Sequence, residues 1–302
     1  MKKGQMKTKR NFVCCVAALL TAAMVTSCGQ DVADETGVAE QQEMQRVTTV
    51  AELTQQLRAY DAALMGCTRA EISSWADPSG MAVTNARMGI ALADAAGAAY
   101  GAIKGGLQGA IAGAAVFSVK KLLDKLLPKF FFEMSTPTIF VSDDCAPMVN
   151  DSVGYYHNLV ETRLCNQYTD TPLPASNVLL AQADQIIRSE SAGYREEGMF
   201  TVQQQRALIA GFDTFRTEDR NDLSFDDYAD LLKQMDTASS DYIDFAAEYL
   251  FTVFYGNVDI DDYTEEVLFM INNSNADVED IGVLDNTIQV AHASTIFSAN
   301  IK

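Results

Sequence analysis

Glycine recurs at every fourth position through the middle of this chain, and no other feature limits the possible folds so much. Gly97, Gly101, Gly105, Gly109 and Gly113 follow one another without a miss, and Gly89 and Ala93 carry the series upstream. That spacing sets all of them along one ridge of a helix. A glycine in a helix interior costs roughly 1 kcal/mol relative to alanine. Five on one ridge are tolerated only where the missing side chains have a use, and the use is close approach of two helix backbones. The spacing therefore predicts helix packing through Gly97, Gly101, Gly105, Gly109 and Gly113.

Whether such a segment crosses a bilayer depends on what surrounds the glycines. Between Asp94 and Lys120 lie 25 residues, with Lys104 central and Gln108 nearby. A lysine at mid-bilayer costs roughly 2.5–3.5 kcal/mol, and Ala and Gly offer little hydrophobic return. A hairpin turning at Lys104-Gly105-Gly106 leaves two arms too short to span. The preferred reading is a tightly packed helix or hairpin inside a soluble domain, with membrane insertion or self-assembly as the alternative. The spacing resembles the glycine zippers of membrane-associated, pore-forming and small lipoprotein families. That resemblance implies close helix contact and no single activity. Lys120, Lys121, Lys125 and Lys129 follow among leucines and Phe130–Phe132, the one basic cluster in the sequence after the N-terminus. They suit either a helix lying on an anionic surface or, as preferred, ion pairing with the acidic remainder while the leucines join the core.

The remainder reads as mainly α. Val50, Leu53, Leu57, Tyr60 and Leu64 mark one face of a helix over Val47–Cys67. Further helices are expected at Val153–Tyr168, Ala175–Ser189, Val202–Arg216, Phe225–Met235, Asp241–Tyr255, Tyr263–Ile271 and Val283–Ser298, with a short strand at Thr138–Val141. Ser224 and Asp261 occupy N-cap positions. Leu223–Asp230 and Val258–Glu265 are alike at a distance of 35 residues, which is read as two similarly capped helices rather than a solenoid repeat. The expected organisation is a signal over 1–27, a tether over 28–46, a glycine-zipper region over 47–150 and a helical region over 151–302. The last two are expected to share one domain.

The N-terminus points to export. Lys2, Lys3, Lys7, Lys9 and Arg10 precede an apolar run from Phe12 to Val25, followed by small residues before a cysteine, the layout of a secretory signal. Val25-Thr26-Ser27-Cys28 resembles the lipobox of bacterial lipoproteins. The resemblance implies cleavage before Cys28, lipidation of Cys28 and stable anchoring by several acyl chains. Residues 29–46 are polar and acidic without an aromatic residue, suited to a flexible tether. The cleaved chain of 275 residues keeps 17 bases against 41 acids, a formal charge of −24. Such a surface repels phosphates and excludes nucleic acid as a partner. The expected partners are the outer membrane, through the lipid, and other envelope proteins or further copies of the chain.

After cleavage, Cys67, Cys145 and Cys165 remain beside Cys28. Three thiols outside the cytoplasm allow one intramolecular disulfide, and Cys145–Cys165 closes the shortest loop. Without a Cys-x-x-Cys pair, and with only His157 and His292 for imidazole, neither a metal nor a cofactor is expected. Asn257-Val-Asp259-Ile-Asp261 imitates an EF-hand opening, but Asp262 stands where glycine is needed and Leu268 where the closing acid belongs. No hydrolase, zincin or phosphate-loop motif is present. The acid pairs Asp226/Asp227 and Asp261/Asp262 suit helix starts.

Gly154-Tyr155-Tyr156-His157-Asn158, taken with Ala93-Asp94-Ala95-Ala96-Gly97-Ala98, resembles a group of bacterial exported proteins. That group carries an aspartate before a glycine-rich stretch and a Gly-x-x-His-Asn start to a later helix. The resemblance implies a fixed polar contact among Asp94, His157 and Asn158, structural rather than catalytic. The function expected is non-enzymatic contact with other envelope components. The competing readings are a membrane-active protein using residues 89–117 and 118–129, and an envelope enzyme without a recognisable motif.

Overall fold

Capping and spacing carry much of the local structure. In the computed structural model, described for residues 47–67, 78–125, 153–168, 171–190, 200–218 and 223–300, every regular element is a helix. Helix α1 (Val50–Met65) opens on a capping box, Thr49 accepting from the Glu52 amide while the Glu52 carboxylate accepts from Thr49. It closes on Gly66, left-handed at φ 68°. Helix α2 (Pro78–Lys125) carries the glycines. Helices α3 (Val153–Tyr168), α4 (Ser176–Glu190), α5 (Val202–Glu218), α6 (Phe225–Met235), α7 (Ser240–Tyr255), α8 (Ile260–Asn272) and α9 (Val278–Asn300) follow.

Most expected helices lie within a few residues of these bounds. Two N-termini differ. The N-cap of α8 is Asp259, whose carboxylate accepts from the amides of Asp261 and Asp262, so Asp261 sits in the first turn. Helix α9 starts at Val278, with Asp277 accepting from the Glu279 amide, five residues before its apolar pattern begins. Caps Ser224 of α6 and Asp259 of α8 are the alike positions of the 35-residue echo. The strand expected at Thr138–Val141, together with Cys28, Lys129 and Cys145, lies outside the described residues.

α2 is two arms joined at Gly106, where the backbone leaves the helical region at φ 64° and ψ −153°. The arms run antiparallel. A Cβ on Gly97 would stand 2.5 Å from the Gly113 carbonyl oxygen, one on Gly101 would strike the Gly109 carbonyl, and the converse holds for both partners. Two steps further out, a Cβ on Gly89 would lie 3.2 Å from Cε of Lys121. Gly105 behaves differently. It lies at the turn, with Phe200 and Leu208 side chains rather than a backbone opposite it.

Because the hairpin is surrounded, its sequence shows no polar face. Ile90, Ala91, Leu92, Ala95, Ala98, Ile111, Ala112, Ala115 and Val119 are all fully buried, as expected of a helix apolar all round. Within Val47–Lys302, a single compact unit, α3 and α9 pack against the hairpin together with α4, α5 and α7. Phe117 stacks on Phe215 at 4.4 Å and meets Phe212 edge-on at 5.4 Å. Tyr100 crosses Gly211 closely and donates to the Ala207 carbonyl at 2.6 Å. Two lysines of the basic cluster, Lys120 and Lys121, pair locally or face inward. Lys120 bridges Asp124 at 2.6 Å, and Lys121 is buried with its ammonium 3.3 Å from the Tyr228 ring centre.

Candidate functional site

Four helical segments bring polar side chains to one point beside the glycine hairpin. On α3, Val153, His157, Glu161 and Cys165 recur every four residues, and all are buried. This row faces the core, so His157 and Glu161 are polar groups set into an apolar face. Asp94 reaches them from the first arm of α2, Ser118 from the second arm, and Ser294 from α9.

His157 Nε2 stands 2.9 Å from Asp94 Oδ1, and its Nδ1 stands 2.9 Å from Asn158 Oδ1. The Asn158 amide is oriented by donating from Nδ2 to the Ala293 carbonyl at 3.2 Å. Both ring nitrogens thus face acceptors, and the ring satisfies both only as an imidazolium. Burial alone would push this imidazole down. The Asp94 carboxylate outweighs it, with smaller help from Glu161 and Asn158, and holds the imidazole above its ordinary value. Ser294 donates to the second oxygen of Asp94. Glu161 Oε1 bonds Ser118 Oγ at 2.6 Å, while Oε2 lies 3.7 Å from His157 Nε2 and has no hydrogen-bond partner. Burial and the neighbouring Asp94 charge push the Glu161 carboxyl up towards its neutral form.

Asp94, His157 and Glu161 have no solvent-exposed surface. A substrate therefore does not reach them in this conformation, and what they do directly is tie α3 and α9 to the hairpin. Asp94, His157 and Asn158, expected in contact, do meet; Glu161, Ser118 and Ser294 were not singled out in the sequence. The signal for Glu161 was its place four residues after His157 on an otherwise apolar face. Nothing comparable marked the serines. Cys165 lies one turn further along α3, where burial pushes its thiol well above the ordinary value. The glycines 97, 101, 109 and 113 line the arm contact next to this cluster.

A second polar arrangement is open to solvent. A cleft of about 540 Å³ lies among α1, α6 and α7, lined by Arg58, Asp61, Asp230, Lys233, Asp244 and Glu248 among others. Its bases are engaged: Arg58 Nε meets Glu248 at 3.1 Å, and Lys233 meets both Asp230 and Asp244 at 2.8 Å. Asp61 is buried and accepts from the Tyr263 hydroxyl at 2.8 Å, part of a stack in which Tyr263 lies between Tyr60 and Tyr249. Burial raises the Asp61 carboxyl to about 7, with Glu248 adding to the rise against the hydrogen bonds. The acid pair Asp226/Asp227 opens α6 and Asp261/Asp262 opens α8, where the positive helix ends favour them. Asp261 also holds His292 at 2.8 Å.

Comparison with known proteins adds no assignment to this geometry: no family model, curated protein or solved structure matches the chain.

Proposed function

We propose that this chain is an outer-membrane lipoprotein, anchored through Cys28, that acts without catalysis by contact with other envelope components. The export signal and the Val25–Cys28 sequence support the anchor. The observation that carries the non-lytic part is the glycine pairing, Gly97 with Gly113 and Gly101 with Gly109. Residues available for helix assembly in a membrane are already engaged with each other. The stretch Ala86–Asp124 is apolar and long enough to cross a bilayer by composition, but in this arrangement it folds back at Gly106 into the domain core. Two of the basic residues that would favour an anionic surface are likewise taken up, Lys121 over Tyr228 and Lys120 on Asp124.

The test uses the full chain. Wild type is expected to incorporate labelled acyl chains and partition into detergent, Cys28→Ser to do neither, and neither form to release dye from vesicles. Detergent partitioning that survives Cys28→Ser would remove the anchor. Dye release by the wild type would favour the membrane-active alternative. The cleft beside Asp61 favours one further reading, an envelope enzyme, because a carboxyl raised to about 7 beside a second carboxylate suits proton transfer near neutrality.

A further inference from the structure

The atoms left over in the buried cluster point at one another. Each of the three central side chains has one polar atom held by an outer partner: Asp94 Oδ2 by Ser294, Glu161 Oε1 by Ser118, and His157 Nδ1 by Asn158, itself fixed on the Ala293 carbonyl. Of the remaining atoms, Asp94 Oδ1 and Glu161 Oε2 both stand against His157 Nε2, at 2.9 and 3.7 Å, and one ligand atom from each of the three residues lies within 4.8 Å of the other two. Outer partners that orient every ligand are how metal centres are built, including a ligating imidazole whose other nitrogen donates to an oxygen. Glu161 Oε2 is also a fully buried polar atom without a hydrogen-bond partner, a costly arrangement for a group with nothing to bind.

We propose that Asp94, His157 and Glu161 are the ligands of a divalent transition cation of the zinc class, held inside the helical core. One imidazole nitrogen and two carboxylate oxygens suit zinc, iron or manganese. Calcium and magnesium want six or more oxygens and are poorly served here. The spacings are close to those required. Ligands about 2.1 Å from one tetrahedral ion stand roughly 3.4 Å apart. Glu161 Oε2 and His157 Nε2 are 3.7 Å apart, and Asp94 Oδ1 and His157 Nε2 are 2.9 Å apart. The ion takes the position on Nε2 where the proton shared with Asp94 now lies, and a rotation of the Asp94 carboxylate opens the shorter gap. Its two positive charges meet two carboxylates, which removes the repulsion between Asp94 and Glu161. Because none of the ligands reaches solvent, the ion is acquired as the helices close around it, and its role is to lock α3 to the hairpin.

The decisive variant is Glu161→Gln, which keeps the size and the Ser118 contact but loses the ligand charge. Full chain purified from cells grown with added zinc, with calcium present to saturate surface carboxylates, is expected to carry one zinc per chain by elemental mass spectrometry. X-ray absorption is expected to show a nitrogen and oxygen shell containing one imidazole. Glu161→Gln, verified as folded by circular dichroism, should hold less than about a tenth of that zinc, and Ser294→Ala should bind about 10–100-fold more weakly, as outer-partner losses do. A buried ion pair alone predicts the opposite: no stoichiometric metal in the wild type, and a Glu161→Gln variant at least as stable because a like charge has gone. Wild type without bound zinc, or a Glu161→Gln variant that retains it, would overturn the proposal.

Discussion

Asp61 shows how burial changes what a side chain contributes. It stands at the inner edge of the cleft, facing Glu248, Asp244 and Lys233 of α6 and α7, Arg58 of its own helix and the Tyr263 hydroxyl of α8. In the unfolded chain an aspartate loses its proton near 3.8, whereas the folded protein keeps it to about 7. Between those values the native state binds more protons than the unfolded state, so stability falls as pH rises. The contribution is fully present below about pH 4 and lost by about pH 7. Denaturant titrations from pH 4 to 8 should record that decline. Asp61→Asn, which leaves an oxygen to accept from Tyr263, should flatten it and raise the melting temperature at pH 8. An unchanged slope in the variant would show that Asp61 is not the group being titrated.

In the helical hairpin, stability depends on missing atoms. Gly101 and Gly109 approach so closely that any Cβ at Gly101 would meet the Gly109 carbonyl, which belongs to the backbone and has no rotamer to adopt. Gly101→Leu must therefore separate the arms and should cost at least about 3 kcal/mol, the upper range for overpacked cores. Gly105 is the less sharp test, since the atoms opposite it belong to the Phe200 and Leu208 side chains, which can shift. Gly282 of α9 has open space around it, so Gly282→Ala should instead stabilise by about 0.4–1 kcal/mol through the unfolded chain. Thermal unfolding of both variants gives the comparison. A Gly101→Leu protein that melts like wild type would mean that the arms are not packed on each other.

For the molecule as a whole, the hairpin is the central element and the other helices form a sheath. Residues such as Ile90, Ala95, Ile111 and Ala115 have no exposed surface, while the outer face of α8 leaves Phe269 67% exposed. Amides of 90–99 and 110–119 should accordingly exchange only through global unfolding, and those of α1 and α8 through smaller openings as well. Hydrogen exchange read by mass spectrometry distinguishes the two layers. Hairpin peptides exchanging as fast as those of α1 would place the hairpin outside the stable core.

The sequence alone determined the helices, because period, caps and glycine costs act over a few turns of chain and are complete within each segment. It also pointed to close backbone packing along the glycine ridge, and left open whether the segment was one helix or a hairpin turning at Lys104-Gly105-Gly106. Which backbone the ridge would meet was a tertiary matter, and the answer was its own continuation past Gly106. The same holds for the buried cluster. Asp94 and His157 are 63 residues apart, and Asp94 and Ser294 are 200 apart; their meeting follows from how α3 and α9 close on the hairpin. Glu161 carries only one local mark, its place four residues after His157 on an otherwise apolar face. It becomes a buried carboxyl beside an imidazole only once packing has removed water from around it, since desolvation is a property of the assembled core and not of any segment within it.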